Sequence, residues 1–436
     1  MSHPRRLARE LPDLDGQRVR VAGFLEEFRA LGGISFALIR DRSGRVQLTL
    51  KKGASDPALA ATLESTPRES VVSAVGTVQR SAKARLGVEL LPESVEVLSV
   101  AGVPLPLGVV DQVHVELNTR LDHRVLDLRK PAVREVFELR AALLAGFRHA
   151  FADREFLEVE TPKLLRQGAE GGATLFPVQY FEERAFLAQS PQLYKQMLMG
   201  AGFERVYEIA PAFRAEPSDT VRHITEFTSL DAEVAYVDSA EELRRLFEEI
   251  VHESIEHARG LLAPTRPELA GRLPTLNLPL PRITFTEACR SLGHENAAAD
   301  LGTEEERKLG ERMSTETGSP FYFLTDFPVA IKRATFYAWH HAEHPELTGY
   351  FDLYCRELEL ASGGPREHRA DVLRSQITEA GLDPATFQGY LEAFAFGMPP
   401  HGGWGSGVDR WVQALGGLAN IREARLFPRD RYRLAP

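Results

Sequence analysis

Cysteine is nearly absent: Cys289 and Cys355 are the only two in 436 residues, and they have no paired spacing. That excludes a disulfide framework and a cysteine-ligated zinc site, and it suits a reducing compartment. No apolar run approaches the roughly 20 residues that span a bilayer. The charged start MSHPRRLARELPDLDG lacks the apolar core of a secretion signal. The expected address is the cytoplasm, with no membrane partner. Two common nucleotide signatures are also missing. No Gly-Lys pair is followed by Ser or Thr, which removes the P-loop, and Gly402-Gly-Trp-Gly-Ser-Gly407 does not fit G-x-G-x-x-G. Any nucleotide must be gripped in another way. Internal repeats and low-complexity tracts are lacking too.

What is present reads as an ordinary globular chain, 43% apolar and 26% charged, long enough for two or three cores. The net charge of −10 is uneven. Residues 1–100 hold fifteen Lys+Arg against twelve Asp+Glu, a net of +3, which leaves −13 for the remainder. A slightly basic front on an acidic body is compatible with a nucleic-acid partner and equally with a plain solvated surface.

That front reads as short strands: Gln17–Phe24 alternates at period two, and Ile34–Arg40, Arg45–Leu50, Val71–Val78 and Val95–Val100 follow. Five strands in so short a stretch predict a small closed barrel of the oligonucleotide-binding (OB) type over residues 1–100. The Gly/Pro-rich Ala101–Gly108 marks a hinge, taken as 101–130. From Pro131 the period becomes helical through Val136, Leu139, Leu143, Phe147 and Ala150. Ser239 with Glu242 predicts a capping box that opens a long helix to about Gly260. Strands and helices mix without a βαβ rhythm, so residues 131–436 are expected to be α+β on a largely antiparallel sheet flanked by helices.

Three separated segments carry the chemistry: Phe156-Leu-Glu-Val-Glu-Thr-Pro162; Tyr207-Glu-Ile-Ala-Pro-Ala-Phe-Arg-Ala-Glu216 continuing through Thr220-Val-Arg-His-Ile-Thr-Glu-Phe227; and Gly405-Ser-Gly-Val-Asp-Arg410. In this order and spacing they resemble motifs 1, 2 and 3 of the class II aminoacyl-tRNA synthetases. Nearly the whole chain is similar to the compact aspartyl-tRNA synthetases of archaeal type (subclass IIb), including Gly397–Gly403 and Leu426–Arg431. The physical logic stands beside the resemblance. Arg214 and Glu216 lie two apart, so on a strand they share a face. A planar guanidinium there grips the amino-acid carboxylate and the ATP α-phosphate together, and Glu216 accepts from the adenine amino group. Arg222 and His223 reach for the outer phosphates. Arg410, after a glycine run that includes Gly407 and lets the backbone approach the base, adds a cation for the γ-phosphate. An isolated arginine more often forms a surface ion pair; the constellation argues for the site.

Magnesium needs hard oxygen ligands, and the resemblance assigns Glu359, Ser362 and Asp352 to it. On one continuous strand Asp352 and Glu359 would face opposite sides, which leaves Glu359 as the firm ligand. The resemblance also selects the amino acid. Lys195, with Gln192 in Gln189–Gln196, and Arg366 would meet the side-chain carboxylate of L-aspartate, with Asp231 holding Lys195 in place. Glu170, in the glycine-flanked Gly168–Gly172, would bind the substrate ammonium. Asparaginyl relatives typically carry an acid where Lys195 stands. Motif 3 usually has Glu where this chain has Asp409, expected to brace Arg410, and Pro365 replaces a common Gln beside Arg366.

The resemblance further implies Phe36 stacked on an anticodon base, Arg29 and Gln47 at its edge and backbone, and Glu89 reading another base. Phe36 shares its face with Ile34 and Leu38 and so has a core reading as well. Motif 1 implies a homodimer with Pro162 near the interface. The expected reaction is ATP- and Mg2+-dependent formation of aspartyl-adenylate and transfer to tRNA-Asp, with tRNA-Asn left open as a second acceptor. The alternatives are asparaginyl-tRNA synthetase, a tRNA-independent asparagine synthetase, which the front barrel argues against, and a non-catalytic tRNA-binding paralogue.

Overall fold

The computed structural model describes residues 4–110, 113–166, 175–216, 220–294 and 300–435. The chain divides into two compact units, Met1–Glu116 and Leu117–Pro436.

In the first unit, β1 (Arg18–Leu31), β2 (Ile34–Arg40), β3 (Arg45–Lys51), β4 (Val71–Arg80) and β5 (Val88–Ser99) close into a barrel in the order β1-β2-β3-β5-β4. Its interior is the apolar half of each alternation: Val19, Val21, Ala37, Ile39, Val46, Leu48, Val72 and Ala74 are all buried. Two strands run longer than their hydrophobic pattern. β1 continues because a register shift between Leu25 and Glu27 lets it serve β4 first and then β2. Alternation fails at that bulge, where Leu25 and Glu26 are both buried and Glu26 accepts from Arg40 Nη1 at 3.1 Å. β5 starts seven residues before the expected Val95 because Pro92 interrupts the run, sitting opposite Gly76 at a second irregularity.

The second unit is built on eight strands: β6 (Leu157–Glu158), β10 (Arg205–Phe213), β11 (Glu226–Ala235), β12 (Arg282–Thr284), β13 (Phe321–Thr325), β14 (Phe351–Cys355), β15 (Leu358–Pro365) and β16 (His401–Gly407). The order is β12-β13-β14-β15-β16-β11-β10-β6, antiparallel except for the outermost pair at each edge. A small sheet of β7 (Leu164–Leu165), β8 (Pro177–Tyr180) and β9 (Glu183–Leu187) stands apart. The helices Pro131–Ala152 and Ala240–Leu262 pack through Phe147, Phe151 and Phe247 into one core with Trp404 and Trp411. A second core contains Tyr322, Leu324, Tyr354, Phe394 and the helix residue Met199. Pro131 occupies the first turn, as its missing N–H allows. Ser239 accepts from Glu242 N at 3.1 Å, but the Glu242 carboxylate accepts from Asp238 N rather than closing the reciprocal box on Ser239.

The two long helices approach backbone to backbone at one point. A Cβ on Gly146 would lie 2.2 Å from the Ser254 carbonyl oxygen. Gly146→Ala should therefore cost about 1–3 kcal/mol through overpacking, read as a lowered denaturation midpoint. An unchanged midpoint would contradict this packing.

Candidate active site

The sheet places one cavity of about 520 Å³ at the ends of β10, β11, β15 and β16 and the start of the helix Val408–Gly416. Arg214, Glu216, Arg222, His223, Glu359, Ser362, Arg366, Gln192, Asp231, Gly407 and Arg410 all line it. Residues spread over more than two hundred positions thus meet in one place. Three residues of the expected set differ. Lys195 and Asp352 are buried and do not line the cavity; Glu170 lies outside the described residues.

At one end the site is a charge cluster buried from solvent. Lys195, on the helix Gln192–Gly200, donates through Nζ to Asp231 Oδ1 at 3.1 Å and to the Trp404 carbonyl at 3.0 Å, with Glu233 Oε2 3.4 Å away. Arg366 donates from Nε to Glu233 Oε1 at 2.9 Å and from Nη2 to Oε2 at 3.3 Å, and its Nη1 donates to the Tyr350 hydroxyl. Glu233 is therefore the hinge of the cluster, joining both cations. Although burial alone would raise its carboxyl, Arg366 and Lys195 hold it below the usual carboxylate range. Ser229 donates to the second oxygen of Asp231 at 2.5 Å. Gln192 donates to Gln196, whose carbonyl oxygen also accepts from Tyr390 and whose amide faces His401 Nε2 at 3.0 Å. Burial pushes His401 down to about 4, so this wall stays uncharged at neutral pH.

Glycines in β16 make room for these acids. A Cβ at Gly403 would meet Glu233 Oε2 and the Ala232 carbonyl at 2.2 Å, and one at Gly405 would sit 3.0 Å from Asp231 Oδ1. The approach of β16 to the β11 carboxylates requires glycine at these two positions.

At the other end, Arg214 continues the β10–β11 ladder through its N–H to the Thr225 carbonyl, and its guanidinium lies over the Phe227 ring at 5.3 Å. Arg410 Nη1 donates to the Glu359 carbonyl at 2.9 Å and is 3.5 Å from the Glu359 carboxylate. His223 shares a 2.6 Å hydrogen bond with Thr220, and burial followed by the nearby Arg410 charge depresses its pKa. Arg222 pairs with Glu306 at 2.6 Å, and Glu306 also accepts from Tyr354.

Several expectations are corrected here. Asp352 and Glu359 do not share a strand: the chain turns at Arg356, with φ 53°, and places them on the neighbours β14 and β15, where Asp352 pairs with Ser362 and Glu359 with Tyr354. Asp352 is salt-bridged to Lys332 at 2.8 Å, and burial pushes its carboxyl up to about 6. Asp409 does not brace Arg410; it accepts from Arg140 at 2.6 Å and from Thr228 N at 2.7 Å, fixing its helix to β11. Pro162 is exposed, next to Thr161 and Lys163, which bond the Glu208 carboxylate of β10.

In the barrel, Phe36 is half-buried while Ala37 and Ile39 supply the core, so Phe36, Ile34 and Leu38 form the other face. Phe36 pairs with Arg29 on β1 and Thr49 on β3. Gln47 donates to Glu89 at 3.2 Å and Thr49 donates to the same carboxylate at 2.8 Å. Arg29 is ion-paired to Glu27 at 2.8 Å. Phe36, Gln47 and Glu89 are thus gathered across three neighbouring strands.

Residues that sequence reading passed over are Glu233, Glu306, Lys332 and Tyr350. Glu233 had a signal: Ser229, Asp231 and Glu233 recur at period two, alternating with Leu230, Ala232 and Val234, so they share a face. Glu306 pairs with Arg222 and Lys332 with Asp352, and these left none.

Comparison with known proteins agrees with this geometry. Residues 116–431 match the family model described as tRNA synthetases class II (D, K and N), and residues 19–98 match that of the OB-fold nucleic acid binding domain. The chain is 45% identical over 428 residues to the aspartate–tRNA(Asp) ligase of Thermococcus kodakarensis, covering 97% of each chain. It is 47% identical over 429 residues to the aspartate–tRNA(Asp/Asn) ligase of Methanopyrus kandleri, covering 98% of this chain and 97% of that one. The solved asparaginyl-tRNA synthetase of Pyrococcus horikoshii, complexed with asparaginyl-adenylate, superposes with a TM-score of 0.90 at 31% identity, covering 99% of this chain and 100% of that one. Relatives named for two amino acids, aspartate and asparagine, thus share this fold. The chain belongs to the class II tRNA synthetases of the D, K and N group, with the OB-fold barrel in front.

Proposed function

We propose that this protein activates L-aspartate with ATP and transfers the aspartyl group to tRNA-Asp. The observation that carries the reading is a buried pair of cations: Arg366 lines the same cavity as Arg214 and Arg410, and Glu233 joins it to Lys195 behind that wall. An aspartate side chain brings a carboxylate to that wall. An asparagine amide would leave a buried cation facing an N–H group, a mismatch worth roughly 1–3 kcal/mol or more. The names of the archaeal relatives support the same choice.

In this reading Arg366, backed by Lys195, receives the β-carboxylate, with Gln192 and Asp231 beside it. Glu170 takes the ammonium by resemblance. Arg214 bridges the α-carboxylate and the α-phosphate. Glu216 faces the adenine, with Gly407 letting the backbone approach the base, and Arg222, His223 and Arg410 face the outer phosphates. The α-carboxylate is already an anion, so no protein base is needed. Its oxygen forms the bond to the α-phosphorus, the bond to the pyrophosphate oxygen breaks, and the cations stabilise the departing charge. The 3′-hydroxyl of the terminal tRNA adenosine then attacks the mixed anhydride, AMP leaves, and the hydroxyl proton passes to a phosphate oxygen.

The oxygen donors present fit a magnesium ion. The Glu359 carboxylate and Ser362 hydroxyl line the cavity, and buried Asp352 has an Oδ1 without a hydrogen-bond partner, opposite Ser362. Glu359 and Ser362 would hold it, with Asp352 behind them. The ion would add charge neutralisation on the phosphates.

The barrel takes the anticodon on the Phe36, Arg29, Gln47 and Glu89 face, in an anticodon-binding domain spanning residues 1–100 ahead of the catalytic domain, 131–436. The protein works as a cytoplasmic homodimer with Pro162 near the interface, a state that light scattering reads directly. Offering purified tRNA-Asp and tRNA-Asn separately sets the breadth of charging; failure to charge tRNA-Asp would overturn the reading.

Lys195→Met removes the cation without adding a carboxylate beside Asp231 and Glu233. It should lower aspartate-dependent ATP–pyrophosphate exchange by roughly 10²–10³-fold, with ATP binding by calorimetry near wild type. Aspartate turnover at the wild-type rate would remove the basis for the substrate choice. Phe36→Ala should raise the KM for tRNA about 5–100-fold, the worth of one stacked base, and leave pyrophosphate exchange without tRNA unchanged. An unchanged tRNA KM would return Phe36 to a purely structural role.

A further inference from the structure

The two long helices carry a group of side chains that the active site does not use. His149 and Asp153 lie one turn apart at the end of Pro131–Ala152, where Asp153 is the C-cap residue and keeps helical dihedrals. Glu253 and His257 lie one turn apart on Ala240–Leu262. Spacing of i, i+4 puts each pair on one helix face, and the two faces meet. The His149 and His257 rings are 4.2 Å apart between centroids and tilted by 34°. His149 Nε2 lies 3.5 Å from Asp153 Oδ2 and 3.6 Å from Glu253 Oε1. One ligand atom from each of His149, Asp153 and Glu253 falls within 4.8 Å of the other two.

These separations are long for hydrogen bonds and right for a shared ion. A tetrahedral metal with bonds of about 2.1 Å holds its ligands about 3.4 Å apart. We propose that His149, Asp153 and Glu253 form a binding site for a divalent transition-metal ion of the Zn2+ class, with the ring of His257 packed against that of His149. Mixed imidazole and carboxylate donors favour such an ion over Mg2+ or Ca2+, which take oxygen. The close crossing of the helices at Gly146 and Ser254, beside His149 and Glu253, fixes the two halves of the site against each other. The side chains are partly exposed, 41% for His149, 53% for Asp153 and 29% for Glu253, so an ion can enter without unfolding. Arg154 is the competing group, ion-paired with the other oxygen of Glu253. None of the three donors lines the active-site cavity. The bound ion clips the two helices together.

Chelator-treated full-length protein titrated with Zn2+ alone should bind one ion at this cluster by calorimetry, and Co2+ alone should give a visible d–d absorption band. His149→Ala and Asp153→Asn should each weaken Zn2+ binding by about tenfold or more. Arg154→Ala, which frees Glu253, should tighten it. Excess Mg2+ should not compete, and aspartate-dependent pyrophosphate exchange in His149→Ala should match wild type. Zn2+ binding of equal strength in wild type and both weakening variants would overturn the proposal, and so would the absence of saturable binding.

Discussion

Two cations and two carboxylates buried together organise this molecule. Removing one partner from such a set leaves an uncompensated charge at a cost of about 3–5 kcal/mol, so the elements that carry them have little freedom to move independently. Lys195 comes from a helix, Asp231 and Glu233 from the centre of β11, and Arg366 from just beyond β15. The cluster fixes the helix, both strands and the intervening β16 in one register. β16 meets the requirement by being nearly all glycine opposite the acids, because any side chain at Gly403 would occupy the space of the Glu233 carboxylate. The set is neutral as it stands, with His401 uncharged beside it. A ligand carboxylate therefore enters a wall of fixed donors, and water need not be reorganised to receive it.

The rest of the cavity is graded from that wall outward. At the far end Arg214 is attached to the β10–β11 hairpin and steadied over Phe227. Arg222, His223 and Arg410 share that end, each checked by an acid or a hydroxyl: Glu306, Thr220 and Glu359. Such pairing keeps these side chains oriented toward the cavity. An elongated substrate pair, an amino acid at the dry end and a triphosphate at the wetter one, matches this gradient. The fold is common to relatives named for aspartate and for asparagine.

Much of this was legible in the sequence where a single local rule applied. Alternation marked the barrel strands, Pro131 and Ser239 marked two helix starts, and the second and third motif segments named eleven of the twenty-five residues that line the cavity. The reading failed where two rules competed. Glu26 is buried because the bulge in β1 turns two successive residues inward, and Pro92 stays inside β5 because a register shift faces it to Gly76. A turn with positive φ at Arg356 split what looked like one strand and brought Asp352 beside Ser362. Glu306 and Lys332 belong to elements far away in sequence, and only the tertiary fold assigns them partners. Glu233 was the avoidable omission, since its alternation with Asp231 put it on the same face.

The account turns on which four-carbon amino acid satisfies the buried cations. Amino-acid-dependent ATP–pyrophosphate exchange on the unmodified protein tests that most directly, comparing aspartate with asparagine at matched concentrations. Exchange is expected with aspartate, and with asparagine at a kcat/KM lower by roughly 10–10²-fold or more, because a site built for hydrogen bonds and charge rejects the analogue that leaves them unpaired. Comparable exchange with asparagine would contradict it.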